Sequence, residues 1–295
     1  MRLVTYYSNG IQRAGLLSGE RVVDALELAQ HAGLADEHTD CDSVRGLLAA
    51  PPGWLASVAD AAGEVEGTAL DETDLAPPVP DPEKILCIGL NYREHAAEGN
   101  LELPKTPIVF AKFRTALIGD KGSIRLPPSN PGQVDFEGEL AVVIGRRAEG
   151  VDETEALDHV AGYMPFNDVT ARDLQLASPQ WTMGKAFDTS APCGPALVTA
   201  DEVGDPQSLR LRTIHNGEVV QEASTGEMIF SVAELVSYIS SLITLVPGDI
   251  IATGTPAGIG HVRQPPRYLA DGDMVDVEIE RLGRLTNTVV NGHAR

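Results

Sequence analysis

Apolar positions along the chain fall in short runs broken by turn residues, a rhythm that predicts many strands and few long helices. Leu3–Tyr7, Ala14–Leu17 and Arg21–Val23 read as strands, punctuated by Asn9-Gly10 and Ser18-Gly19. Helical spacing then predicts helices over Asp24–Ala32, Ser43–Ala50 and Trp54–Ala62. The run Ala76-Pro77-Pro78-Val79-Pro80-Asp81-Pro82 follows. Proline fixes its own φ and restricts its predecessor, so this stretch reads as a stiff, extended connection. The expected organisation is a small N-terminal α/β domain over 1–75, a proline-rich linker over 76–83 and a larger unit over 84–295.

Beyond the linker, Lys84–Gly89 is an expected strand leading to Asn91, an N-cap candidate with Glu94 three residues on. Ile108–Phe113 and Glu139–Ile144 are further strands, and Asp152 with Glu155 opens a second capped segment. His215-Asn216-Gly217-Glu218 predicts a tight hairpin between Leu209–Ile214 and Val219–Ala223. Ser231 with Glu234 predicts a capping box and a helix running to about Leu245. Met274–Ile279 and Leu285–Val290 form a closing hairpin around Gly283. With 29 glycines and 20 prolines among 295 residues, the fold class expected is β-rich α+β.

Composition narrows the function classes. The formal net charge of -21 repels nucleic acid and anionic membranes, and 5% aromatic residues offer no stacking platform for bases. No run of about 18 apolar residues suits a membrane span, and the N-terminus has no basic-then-apolar leader. Cys41, Cys87 and Cys193 have no CxxC spacing and read as reduced, mostly buried thiols, which places the chain in the cytoplasm. An anionic ligand entering such a protein needs local positive charge.

Candidate chemistry begins at Asp135-Phe136-Glu137-Gly138-Glu139, which leads into the apolar Leu140–Ile144. Side chains alternate across a strand, so Glu137 and Glu139 share a face. Two carboxylates on one face repel unless a proton or a cation lies between them, and a hard cation with oxygen ligands answers that need. A solvated strand end is the other reading of the pair. Asp168 ends the apolar Tyr163–Asn167 at a strand-to-helix junction, placed either to cap the helix or to bind a metal. Arg172 and Gln175 share one helical face and offer a guanidinium fork and an amide to a carboxylate, or simply pair on the surface. Lys185 stands among small and apolar residues, either as a partly buried ammonium that holds a carboxylate or as a lysine snorkelling from a strand edge. His95 and Glu98 are one helical turn apart, the spacing of a base and its orienting carboxylate as well as of a surface pair. The glycine-rich Thr253–Gly260 permits close backbone approach to a ligand, with Thr255 as a candidate contact. It lacks the Gly-Lys-Ser/Thr of a phosphate loop.

Taken in order, these words resemble the fumarylacetoacetate hydrolase superfamily in its bacterial, single-active-site form. The resemblance covers Lys84 to Val290. It rests on Gly89-Leu90-Asn91-Tyr92 with His95 and Glu98, on Asp135–Ile144, Asn167–Gln175, Gly184–Thr189 and Thr253–Gly260. Phe136, Arg114 and Gly226 depart mildly from the usual pattern. The resemblance implies a mixed β-roll with peripheral helices, assembled as a homodimer. It implies Glu137, Glu139 and Asp168 as ligands of Mg²⁺ or Mn²⁺, and Lys185 as a catalytic lysine. His95 and Glu98 become a water-activating dyad on a mobile lid, and Arg172, Gln175 and Thr255 substrate contacts. The activity implied is metal-dependent hydrolysis of a C–C bond in a small anionic 2-oxo acid such as an acylpyruvate. Decarboxylation of oxaloacetate, or isomerisation or hydration of aromatic-catabolism intermediates, uses the same apparatus, and a non-catalytic homologue is the remaining class.

Overall fold

The structure, a computed structural model, describes residues 1–35, 39–129 and 131–292, so the last three residues of the expected 84–295 unit lie outside it. Its frame is an eleven-stranded mixed sheet and a five-stranded sheet, with short peripheral helices. The strand Gly138–Ile144 lies near the middle of the larger sheet, antiparallel to Val160–Asn167 on one side and to Ile250–Ala252 on the other. Ile250–Ala252 in turn runs parallel to Ile85–Gly89. The continuous apolar run of Leu140–Ile144 is explained by burial on both faces. Ala141 and Val143 join one core while Leu140, Val142 and Ile144 join the other.

The first 75 residues extend this sheet. Arg2–Ser8 pairs with Leu197–Thr199 through Arg2↔Val198 and Leu3↔Leu197, and Leu3, Leu28 and Val58 share a core with Ile85, Val143 and Phe166. The proline-rich stretch is packed down: Val79 is fully buried, and Thr5 Oγ1 donates to Pro78 O at 2.8 Å. Among the described residues no helix is long and apolar enough to cross a membrane. All three cysteines are buried, and among the described residues none forms a disulfide.

Local predictions fare according to how local their causes are. The hairpin turns at Asn216 and Gly217, both at positive φ (52° and 82°), between Arg210–His215 and Glu218–Ser224. Ser231 and Glu234 form the expected capping box, but the helix covers only Val232–Ser240, because Leu245 is engaged in backbone pairing with Ala148. Asp152 precedes the short helix Glu153–Ala156 without a side-chain cap bond. Asn91 is no cap either. Fully buried, it donates to Phe230 O (3.0 Å) and Thr253 O (2.7 Å) and accepts from Phe230 N (2.8 Å). A buried amide is held more firmly by three bonds than by one at a helix start, and Tyr92 occupies the cap position of Arg93–Glu98 instead.

Asp24 anchors the N-terminal region. Its side chain caps Ala25–His31 through Leu26 N and Glu27 N, takes two bonds from Arg13 and one from Tyr6 Oη at 2.7 Å. Burial alone would raise its carboxyl, but the bonds from Arg13, Tyr6 and Glu27 N bring it below the usual carboxylate value. Asp24→Ala is expected to cost about 2–4 kcal/mol in denaturant unfolding, the sum of a lost cap and lost charged bonds. Because the folded value is lowered, this contribution is complete above the ordinary carboxylate range and fades as pH falls through it. A variant within 0.5 kcal/mol of the parent, a loss of about the size of an ordinary surface change, would show that the cluster carries little stability.

Candidate active site and metal centre

The register Gly138↔Asn167 sets the acidic end of one central strand beside the Asn167-Asp168 end of its neighbour. Asp168 N donates to Glu137 O at 2.8 Å, and Asn167 Oδ1 accepts from Glu137 N at 3.0 Å, which fixes Glu137 one residue before its strand begins. Ligand atoms of Glu137, Glu139 and Asp168 lie within 4.8 Å of one another, and the three residues are 5%, 1% and 0% exposed. The solvated strand end is therefore excluded.

Positive charge answers most of this cluster. Lys185 Nζ sits 2.7 Å from Glu137 Oε2 and 2.7 Å from Asp168 Oδ2, and 5.1 Å from the centroid of the Phe110 ring. It projects from the short helix Thr182–Lys185 and is 2% exposed, so it is no strand-edge lysine. Gly184 allows this helix to lie close, since a Cβ there would stand 2.4 Å from Gln175 N. Burial pulls the Lys185 ammonium down, but Asp168 and Glu137 outweigh burial and leave it above the usual lysine value. For Glu137, burial is overcome by Lys185, Arg172 and His95, which hold the carboxyl down at about 2.

Glu139 is the exception. Its hydrogen bond comes from Gly254 N at 2.9 Å, and among the described residues no cationic side chain pairs with it. Burial, then Asp168 and Glu137, push its carboxyl well above the usual range. Asp168 Oδ1 has Lys112 Nζ 2.8 Å away but receives no aligned hydrogen bond. Three buried, convergent oxygen donors, one without a cationic partner, fit a hard divalent cation.

Arg172 and Gln175 do share a face of the helix Arg172–Leu176, where Nη1 of Arg172 donates to Gln175 Oε1 at 3.0 Å. The guanidinium also reaches Glu137 Oε1 (2.7 Å) and Asp135 Oδ2 (2.9 Å). Thr255 sits on the cavity wall, but its hydroxyl donates to Gly138 O (3.0 Å) and accepts from Gln221 Nε2 (2.8 Å). It thus anchors its loop rather than presenting a free donor. His95 and Glu98 form the expected pair, Nδ1 to Oε1 at 2.7 Å, and Glu98 Oε2 accepts from Gly258 N at 2.8 Å. A cavity of about 390 Å³ brings His95, Glu137, Arg172, Gln175, Lys185 and Thr255 together, with Phe110, Trp181 and Leu101 on its apolar side. Of the three carboxylates only Glu137 is on its wall.

Three functional groups escaped the sequence reading. Lys112 is fully buried at the end of Ile108–Lys112 and donates to Val169 O (3.2 Å), Ser190 O (2.8 Å) and Lys185 O while facing Asp168. A lysine closing an apolar strand was the available signal. Asp135 holds Arg172 and accepts from Gly260 N (2.8 Å) and His261 N (2.9 Å), tying the guanidinium to the glycine-rich loop. The alternation Asp135, Glu137, Glu139 already placed it on the acidic face. Gln221 bridges Gly138 N (3.0 Å) to Thr255 and Pro256, and nothing local marks it.

A family model described as fumarylacetoacetate (FAA) hydrolase C-terminal matches residues 84–290. Oxaloacetate tautomerase FAHD2A, mitochondrial, of Bos taurus is 48% identical over 221 residues, 74% of this chain and 70% of that protein. A fumarylacetoacetate hydrolase domain-containing protein 2 homolog of Dictyostelium discoideum is 50% identical over 220 residues, 71% and 72% of the two chains. Among solved structures, a putative HpcE protein from Mycobacterium smegmatis superposes with a TM-score of 0.83 at 35% identity, over 99% of this chain and 100% of that one. Maleylpyruvate hydrolase from Sphingobium sp. SYK-6, in complex with manganese(II) and pyruvate, gives 0.79 at 29% identity over the same shares.

Proposed function

The chain belongs to the fumarylacetoacetate hydrolase family, and on that premise we propose that it moves a proton in a small 2-oxo acid of the oxaloacetate type, interconverting keto and enol forms. A divalent cation, Mg²⁺ or Mn²⁺, held by Glu137, Glu139 and Asp168 would supply the Lewis acidity that polarises the 2-oxo carbonyl. Lys185 meets the cavity with an ammonium that stays protonated, ready to pair with a substrate carboxylate or the developing oxyanion. Arg172, fixed by Asp135 and Gln175, keeps its guanidinium on the same wall. The observation that carries the reading is His95, which lines the same cavity as Lys185 and Glu137 and is paired with a Glu98 pinned by Gly258 N. One braced imidazole suffices to take a proton from the carbon beside the carbonyl and return it to oxygen.

The sequence reading put hydrolysis of a β-diketo acid first. Relatives named oxaloacetate tautomerase, at 45–48% identity, favour proton transfer instead. Hydrolysis remains the second reading, favoured by the likeness to a maleylpyruvate hydrolase and by the same imidazole, which would deprotonate water. A parallel assay with Mg²⁺ or Mn²⁺ decides: enol oxaloacetate disappearance, pyruvate release from acylpyruvates, and CO₂ release from oxaloacetate. The expected result is metal-dependent acceleration in the first. Turnover only in the second would make the protein a hydrolase, and turnover in none would remove the enzymatic reading.

A further inference from the structure

His261 also lines the active-site cavity, on the loop that follows Gly260, and takes no part in the chemistry above. Its backbone N–H is fixed by Asp135 Oδ2 at 2.9 Å, and its Nδ1 lies 2.8 Å from Tyr268 Oη. The residue is therefore held once through its backbone and once through its ring, and among the described residues Nε2 has no partner. We propose that His261, braced by Tyr268, forms a second anion subsite in this cavity, which takes the distal carboxylate of a 2-oxo dicarboxylic acid. The proposal rests on the reading of the cavity as a 2-oxo acid site and names its substrate class.

Three other polar groups on the wall already have partners within the protein. Lys185 is paired with Glu137 and Asp168, Arg172 with Asp135 and Glu137, and the Thr255 hydroxyl with Gly138 and Gln221. The rest of the wall includes Leu101, Phe110, Leu176, Trp181 and Val262, which cannot neutralise a second carboxylate. In a protein of net charge -21, a dianion needs a further local donor. His261 supplies one as an imidazolium, or as a neutral ring whose Nδ1 accepts from Tyr268. The Tyr268 hydroxyl can donate to Nδ1, and the subsite uses that arrangement. The neutral imidazole then carries its own proton on Nε2, and the imidazolium carries one there too.

The test is calorimetric binding to the Mg²⁺-loaded protein, with oxalate as a short probe and matched pairs as long ones. The pairs are 2-oxoglutarate against 2-oxopentanoate, and 2-oxoadipate against 2-oxohexanoate. The parent is expected to prefer at least one dicarboxylate by about tenfold, the scale of one charge-assisted hydrogen bond. His261→Leu should bring that ratio to about one while oxalate binds as before, and Tyr268→Phe should lower it part way. His261→Gln, which keeps an N–H donor, should retain part of the preference and covers the case in which the leucine variant fails to fold. A parent without preference, or a preference undiminished in the leucine and glutamine variants, overturns the subsite alone. Failure of the parent to bind oxalate overturns the metal-site reading and the subsite together.

Discussion

Glutamine in place of Glu139 is expected to lower metal-dependent turnover by about a thousandfold, the rate equivalent of the several kcal/mol that Lewis-acid stabilisation supplies. Without metal the same variant should melt no lower than the parent. Glu139 is buried beside Asp168 and Glu137 and has no cationic partner among the described residues, so its charge is a burden on the unliganded fold. An amide of the same shape keeps the bond from Gly254 N and removes that repulsion. The two effects separate loss of function from loss of fold. The parent should gain melting temperature on adding Mg²⁺ or Mn²⁺, and the variant should lose most of that gain. A Glu139→Gln protein with parental turnover and a parental metal-induced shift would take Glu139 out of the metal site.

The sign of the accompanying pH dependence follows from the same carboxyl. Raised well above the usual range, Glu139 keeps its proton to higher pH than a free glutamate, and a bound cation must displace it. Metal affinity should therefore fall as pH drops below that raised value, by about tenfold per pH unit for one competing proton. Calorimetry in two buffers of different ionisation heat would show a released proton for the parent and none from this position in the variant. Glu137, already held down at about 2 by Lys185 and Arg172, contributes no such proton near neutral pH.

The acidic trio was readable from sequence because its geometry is local. Glu137 and Glu139 alternate in one segment, and Asp168 ends the next strand of the sheet. His95 with Glu98, and Arg172 with Gln175, were readable for the same reason, one helical turn apart. What escaped depends on residues far away in the chain. Asn91 has the composition of a cap, yet its partners lie at Phe230 and Thr253. Lys112 meets carbonyls of Val169, Lys185 and Ser190, and Gln221 spans from Gly138 to Pro256. The pairing partner of the first strand was likewise invisible, because Leu3↔Leu197 is set by a strand nearly two hundred residues on. Thr255 lines the cavity, but its hydroxyl is spent on the loop, which spacing alone does not reveal.

His95→Asn is expected to lower turnover by about a hundredfold to ten-thousandfold, the range of a lost general base, while metal and oxalate bind as in the parent. Asparagine fills similar space and can still bond to Glu98, but it cannot take up a proton. Glu98→Gln should cost less. Its amide oxygen can still accept from Gly258 N, so the loop stays in place, and only the negative charge beside the ring is lost. The order of the two losses tests the division of labour: His95 moves the proton and Glu98 positions it. Equal losses would mean that the ionic pair acts as one unit. A small loss at His95 beside a large one at Lys185→Met would move the proton-carrying role to the lysine, whose ammonium lines the same cavity. The His95 substitution by itself keeps the ion pairs of the acidic trio, which are made with Lys185, Lys112 and Arg172.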